Sequence, residues 1–238
     1  MLHTHGLDLF GPNFYYIKSL SAKISLAFIL PNYKAKTRIG PHNSDVYSVL
    51  IGALLGDCFG ERLPNGGVRF RFKQSAAHKE YLFWLYDFFN KRGYCSNNLP
   101  INFKQKLCHG GGVKYHECYR FDTYSYSSLL DIYKLFYINK KKVIPNNIAE
   151  LLTPLALAVW IMDDGSFKSP GLRIATNCFT KQEVELLKQA LATKFNIDSS
   201  LHKNGGNYQL YISAGSMPLL KKIVLPYFVP SMLYKLGL

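Results

Sequence analysis

An apolar stretch that ends in aspartate occurs twice in this chain, and the duplication constrains the fold more than any other feature. Leu50-Ile-Gly-Ala-Leu-Leu-Gly-Asp57 aligns with Leu157-Ala-Val-Trp-Ile-Met-Asp-Asp164, and the matched aspartates, 57 and 164, lie 107 positions apart. Each stretch has the composition of a buried helix. A buried helix that ends in an ionised carboxylate conflicts with desolvation unless a cation meets it there. An aspartate at a helix C-terminus also opposes the helix dipole. One such placement could be a turn residue; two equivalent ones point to a site.

The segments around the two copies repeat as well. Ser44 is the expected N-cap of the first motif helix, with Asp45 in its first turn. Small residues Gly52, Ala53 and Gly56 would let a second helix approach closely. Phe59 to Leu63 and Val68 onward read as a hairpin around Pro64-Asn-Gly-Gly67. In the second strand Val68, Phe70 and Phe72 alternate with Arg69, Arg71 and Lys73, so one face is apolar and the other cationic, with no compensating acid in that run. A helix over 77–92, strands over 101–107 and 114–123, and a helix over 127–137 complete an αββαββα half. The same order follows Asp164. Thr153-Pro154 opens the motif helix, a hairpin turns at Ser169-Pro-Gly171, and Thr180-Lys-Gln-Glu183 is a capping box. Asn204-Gly-Gly-Asn207 then joins two strands, and a helix over 217–224 precedes the tail.

The fold expected is therefore α+β: two pseudo-symmetric αββαββα halves packed through the motif helices, with antiparallel sheets forming a saddle. Its segments are an N-terminal arm over 1–43, a first half over 44–137, a basic linker over 138–152 and a second half over 153–238.

Charge identifies the partner. The chain of 238 residues carries 29 Lys and Arg against 15 Asp and Glu, a net +14, which favours a polyanion and above all nucleic acid. An anionic membrane would require a basic amphipathic helix or a lipidation signal, and neither is evident. The apolar runs at 49–56 and 155–162 are far shorter than the roughly 18 residues a span needs. Five cysteines without a C-x-x-C pair fit a reducing compartment. Cys108, His109, His116 and Cys118 crowd together, but their spacing matches no common zinc pattern. Arg62, Arg69, Arg71, Lys73, Lys104, Lys106, Lys114 and Arg120 in the first half, with Lys168, Arg173 and Lys203 in the second, are the expected DNA-binding cations.

A pseudo-twofold pairing of the motif helices would bring Asp57 and Asp164 together. Close carboxylates repel unless divalent cations bind between them, and hard oxygen ligands suit Mg2+ or Mn2+. Phosphodiester hydrolysis uses such ions.

Leu50-Ile-Gly-Ala-Leu-Leu-Gly-Asp-Cys58 and Leu157-Ala-Val-Trp-Ile-Met-Asp-Asp-Gly165 resemble the two motifs of a LAGLIDADG homing endonuclease of the single-chain type. The likeness spans about 44–238. It also takes in Asn139-Lys-Lys-Lys-Val-Ile-Pro-Asn-Asn147 and Val229-Pro-Ser-Met-Leu-Tyr-Lys-Leu236, which look like the segments carrying the family's active-site lysines, here Lys142 and Lys235.

That resemblance implies metal coordination by Asp57 and Asp164 with the backbone carbonyls of Gly56 and Asp163. It also implies solvent positioning by Gln74 and Asn177, and dependence on Mg2+, with Mn2+ substituting and Ca2+ binding without supporting cleavage. The implied protein is a monomer that cuts both strands of a long DNA site to short 3′ overhangs, promotes intron mobility and resides in mitochondria or another organelle. An RNA maturase acting on intron RNA, and an inert DNA-binding module, are the competing functions on this scaffold. Two positions depart from the family pattern. Cys58 stands where a glycine is usual, and bulky Val159 takes the small position matched by Gly52.

Overall fold

The computed structural model describes residues 34, 37–38, 40–109 and 112–238, apart from the side chains at 107–109 and 112. Most of the 1–43 arm lies outside them. At its end, His42 places one ring nitrogen 2.6 Å from the Tyr94 hydroxyl and the other 2.7 Å from Ser128 Oγ.

Helix α1, Ser44–Leu55, is buried along nearly its whole length. Its N-cap is Asn43 rather than Ser44, and no side chain caps it. Strands β1, Phe59–Arg62, and β2, Val68–Ser75, form the first hairpin. A 3-10 turn, Ala76–His78, leads into α2, Lys79–Asn90. The long hairpin of β3, Ile101–His109, and β4, Gly112–Asp122, precedes α3, Leu130–Phe136. The basic segment after it contains a small hairpin of β5, Tyr137–Ile138, and β6, Lys141–Lys142, then a one-turn helix α4, Ile148–Leu151.

In the second half α5, Pro154–Asp164, starts as expected: Thr153 Oγ1 accepts from the Ala156 N–H, with proline in the first turn. Strands β7, Gly165–Lys168, and β8, Gly171–Ile174, precede α6, Lys181–Phe195, which the Thr180–Glu183 capping box opens. Strands β9, Ser199–Asn204, and β10, Asn207–Ile212, turn at Gly205 and Gly206, both left-handed, as a tight hairpin requires. Helix α7, Met217–Val224, leads to a tail wound into 3-10 turns at Leu225–Tyr227 and Pro230–Leu236.

Both large sheets are antiparallel and share one topology, β1-β2-β4-β3 and β7-β8-β10-β9. The halves are fused through α1 and α5, and one hydrophobic core runs through both. A Cβ on Gly52 would meet the Ala156 carbonyl oxygen at 2.3 Å and Val159 Cβ at 2.8 Å, so glycine is what lets the helices touch. This also accommodates Val159: its bulk fills the room that Gly52 leaves. No helix among the described residues is long and apolar enough to cross a membrane.

Candidate active site

Both motif helices end at the same edge of the fused core. After α5 the chain passes straight into β7, and the Ala175 N–H donates to the Asp164 carbonyl at 3.0 Å. After α1 it turns more widely, with the Gly56 N–H pointing back to the Gly52 and Ala53 carbonyls. Asp57 is exposed, whereas Asp163 and Asp164 are partly buried.

Asp163 reaches across to the other half. Its Oδ2 accepts from the Asp57 backbone N–H at 3.3 Å, and its Oδ1 from Gln74 Nε2 at 3.2 Å. The same Gln74 nitrogen donates to Asp57 Oδ2 at 2.9 Å. The Asp163 carboxyl occupies space that a side chain on Gly56 would need, since a Cβ there would sit 2.5 Å from Asp163 Cβ. The resemblance implies mainly a backbone role for Asp163. Its side chain instead bridges the halves.

Electrostatics follow from this crowding. Burial, then the charges of Asp57 and Asp164, pushes the Asp163 carboxyl well above the usual carboxylate range. Asp164 rises to about 7, from burial first and Asp57 second, against the opposing pull of Lys235 and Lys142. Tyr81, buried beneath the site with its hydroxyl 3.4 Å from the Val159 carbonyl, is raised well above an ordinary tyrosine, chiefly by burial.

The two lysines approach in matching ways. Lys142 Nζ donates to the Gly56 carbonyl at 2.8 Å and to the Cys58 carbonyl at 2.9 Å. Lys235 Nζ donates to the Met162 carbonyl at 2.5 Å and the Asp163 carbonyl at 2.7 Å. Burial lowers the Lys235 pKa against the opposing pull of the nearby aspartates. The carbonyls of Gly56 and Asp163 thus receive lysine protons, each keeping a second lone pair. The Cys58 thiol is buried and its pKa pushed up by that burial, which suits packing rather than chemistry.

Gln74 has the parity of Val68, Phe70 and Phe72 in β2, so the strand turns it inward to the carboxylates. Asn177 is exposed in the turn before α6. The pairing that sets Gly165 opposite Ile174 and Phe59 opposite Arg71 makes Thr176 the counterpart of Gln74. Thr176 is fully buried, and its hydroxyl donates to the Tyr208 carbonyl.

Sheet register sorts the cations. Arg69, Arg71, Lys73, Lys114 and Arg120 share the outward face of the first sheet, and Lys168 and Arg173 that of the second. Lys104 and Lys106 alternate onto the opposite, helix-side face, opposite Glu117 and Tyr115. Arg62, opposite Val68, and Lys203, opposite Tyr208 and two residues from Leu201, share that inner parity. The expectation of no compensating acid also requires correction. Arg69 Nε lies 2.7 Å from Glu61, and Arg71 Nε 2.9 Å from Asp122, because both acids come from the neighbouring strands. Of the four residues Cys108, His109, His116 and Cys118, the Cys108 and His109 side chains lie outside the described residues. His116 is exposed and Cys118 buried.

Two like halves joined through acid-ended helices, with a lysine on the last turn of each, define a duplicated LAGLIDADG scaffold. A profile of the LAGLIDADG DNA endonuclease family matches residues 47–220, and the chain belongs to that family. It is 42% identical to the cytochrome b mRNA maturase bI2 of Debaryomyces hansenii, over 83% of this chain and 75% of that one. It is 45% identical to the intron-encoded endonuclease ai4 of Dictyostelium discoideum, over 65% of this chain and 99% of that one. Among solved structures, the homing endonuclease I-WcaI bound to its DNA recognition sequence matches with a TM-score of 0.76 and 28% identity, over 90% of this chain and 97% of that one.

Proposed function

We propose that this chain is a site-specific double-strand DNA endonuclease that depends on a divalent metal and promotes intron mobility. The observation that carries the proposal is the crowding of carboxyl groups at the ends of paired helices, where Gln74 joins Asp57 to Asp163 and where burial and then Asp57 raise the neighbouring Asp164 to about 7. Carboxylates held this way fit a hard cation, which would relieve both the desolvation and the repulsion. Asp57 and Asp164 are the residues that would hold it, and water and substrate phosphate oxygens are its usual remaining ligands. Mg2+ suits this donor set, with Mn2+ as a substitute and Ca2+ binding without turnover. Once bound, such an ion makes water nucleophilic and stabilises the leaving oxygen.

The protein's own groups have separate tasks. Lys142 and Lys235 fix the motif carbonyls and place two ammonium groups beside the phosphate path. Gln74 holds Asp57 in one orientation. The outward cations of both sheets attract the duplex. A single chain with one motif per half suits cleavage of one strand by each half, leaving short 3′ overhangs. The likeness to a cytochrome b mRNA maturase supports mitochondrial residence, and supports binding of intron RNA as a second activity.

Selection of cleaved sites from a randomised DNA library with Mg2+ identifies the target. Asp57→Asn and Asp164→Asn should each abolish its cleavage; wild-type rates in either would overturn the site assignment. Restoration of host-intron splicing by the double Asp→Asn protein would separate the RNA activity from the nuclease.

A further inference from the structure

His78 ends the 3-10 turn after β2 and faces the site from the first half. Its Nδ1 lies 3.3 Å from Gln74 Oε1, and its Nε2 lies 3.0 Å from the Tyr234 hydroxyl. Gln74 commits its amide nitrogen to Asp57 and Asp163, so the oxygen turned to His78 can only accept. Nδ1 must therefore carry a proton. Burial first, and then Lys235, lower the His78 pKa, which keeps the ring neutral above it. In a neutral ring Nε2 is then the acceptor, and Tyr234 must donate to it. Every link thus has a fixed direction. Tyr234 donates to His78, His78 to Gln74, and Gln74 to the carboxylates.

The chain of bonds crosses between the halves. Tyr234 lies in the 3-10 turn Pro230–Leu236, immediately before Lys235, whose ammonium holds the Met162 and Asp163 carbonyls. Among the described residues, the second half carries no matching arrangement at the equivalent position. Thr176 stands in the place of Gln74, and its hydroxyl is used on the Tyr208 carbonyl.

We propose that His78 and Tyr234 are positioning residues that lock the Gln74 amide and couple it to the tail bearing Lys235, so that Asp57 is oriented by a device Asp164 lacks. The proposal rests on the nuclease reading above. Because the device is one-sided, its loss falls on one DNA strand.

The test uses the full chain and a supercoiled plasmid carrying the selected target, with Mg2+ and the wild type in parallel. His78→Ala should slow cleavage of one strand by roughly tenfold, the scale of one lost orienting hydrogen bond. Open-circular plasmid should then accumulate with the same strand intact in every molecule, while Kd for the target in Ca2+ stays essentially unchanged. His78→Asn, which keeps an N–H near the Nδ1 position, should recover most of the rate, and Tyr234→Phe should show the same strand bias more weakly. A merely structural role would slow both strands alike and would not be rescued by asparagine. Independently of cleavage, 15N spectra of the imidazole should show His78 as the Nδ1–H tautomer, and Gln74→Ala should abolish that preference. The Nε2–H tautomer in wild type, or equal slowing of both strands, overturns the proposal. A wild-type protein that cuts no site overturns the nuclease reading and this proposal together. A wild type that cuts beside a His78→Ala protein of equal rate on both strands overturns the positioning role alone.

Discussion

Gly56 and Asp163 occupy equivalent positions in the two motifs, and the missing side chain of one is the space used by the other. That exchange gives adjacent aspartates different tasks. Asp163 ties the halves together, and Asp164 is left as a crowded carboxyl raised from 3.8 to about 7. A folded-state pKa above the unfolded one means that, between about pH 4 and 7, the folded protein keeps a proton the unfolded chain has released. Stability therefore falls as pH rises through that window. Asp164→Asn removes this cost and should make the metal-free protein more stable at pH 7.5, by on the order of 2 kcal/mol after allowing for partial hydration of the site. Thermal melts at pH 5 and 7.5 check it: the wild type should lose stability across the interval more than the variant, and Mg2+ should raise the wild-type Tm only. Equal pH slopes would mean that Asp164 ionises freely. Motif spacing singles out Asp57 and Asp164, and the resemblance of their segments singles out Lys142 and Lys235, whose ammonium groups reach the ends of the two motifs. The Asp163 side chain, Tyr81 and His78 were not legible, since their roles arise from contacts between segments far apart in sequence. The resemblance points to Gln74, which β2 parity turns inward, and to Asn177, whereas strand pairing makes the neighbouring Thr176 the counterpart of Gln74.

Among the elements, the contact of α1 with α5 is the least tolerant. Gly52→Ala would press a methyl group onto the Ala156 carbonyl at 2.3 Å, and backbone cannot swing away as a flexible side chain can. It should destabilise the protein by about 1–3 kcal/mol, the usual range for overpacking. Val159→Ala in the same protein should recover little of that loss, because alanine keeps the Cβ that lies at 2.8 Å and the carbonyl clash remains. Chemical denaturation of the two variants measures this, and full recovery by Val159→Ala would mean that the helices separate more easily than this packing implies. Helices with strong local signals were read well. The Thr153 cap and the Thr180–Glu183 box both form as their sequences dictate. Elements held by tertiary contact were not. The segment read as a linker, 138–152, folds back on Tyr137 just before it, and the two-stranded ribbon so formed aims Lys142 at Gly56. The tail has no helical periodicity, yet its 3-10 turns bury Lys235 at 5% exposure under the end of α5.

At the scale of the whole molecule, net charge overstates how many cations are free to meet a duplex. Arg69 and Arg71 are already paired with Glu61 and Asp122, and alternation along β3 turns Lys104 and Lys106 to the helix side. Lys168, on the outward face of β7, is exposed. Each phosphate neutralised contributes about 0.9 to the slope of log affinity against log salt. Lys168→Ala should therefore lower that slope by roughly one unit, and Lys104→Ala should leave it unchanged. Arg71→Ala should shift it less than Lys168→Ala, because an arginine already paired with Asp122 and Glu61 releases fewer counterions when it meets DNA. Filter binding of the selected target in Ca2+ over a range of salt concentrations distinguishes these outcomes. A fall in slope for Lys104→Ala equal to that for Lys168→Ala would place DNA against both faces of the first sheet. The outward faces would then no longer define the saddle, and sorting the cations by strand register would fail.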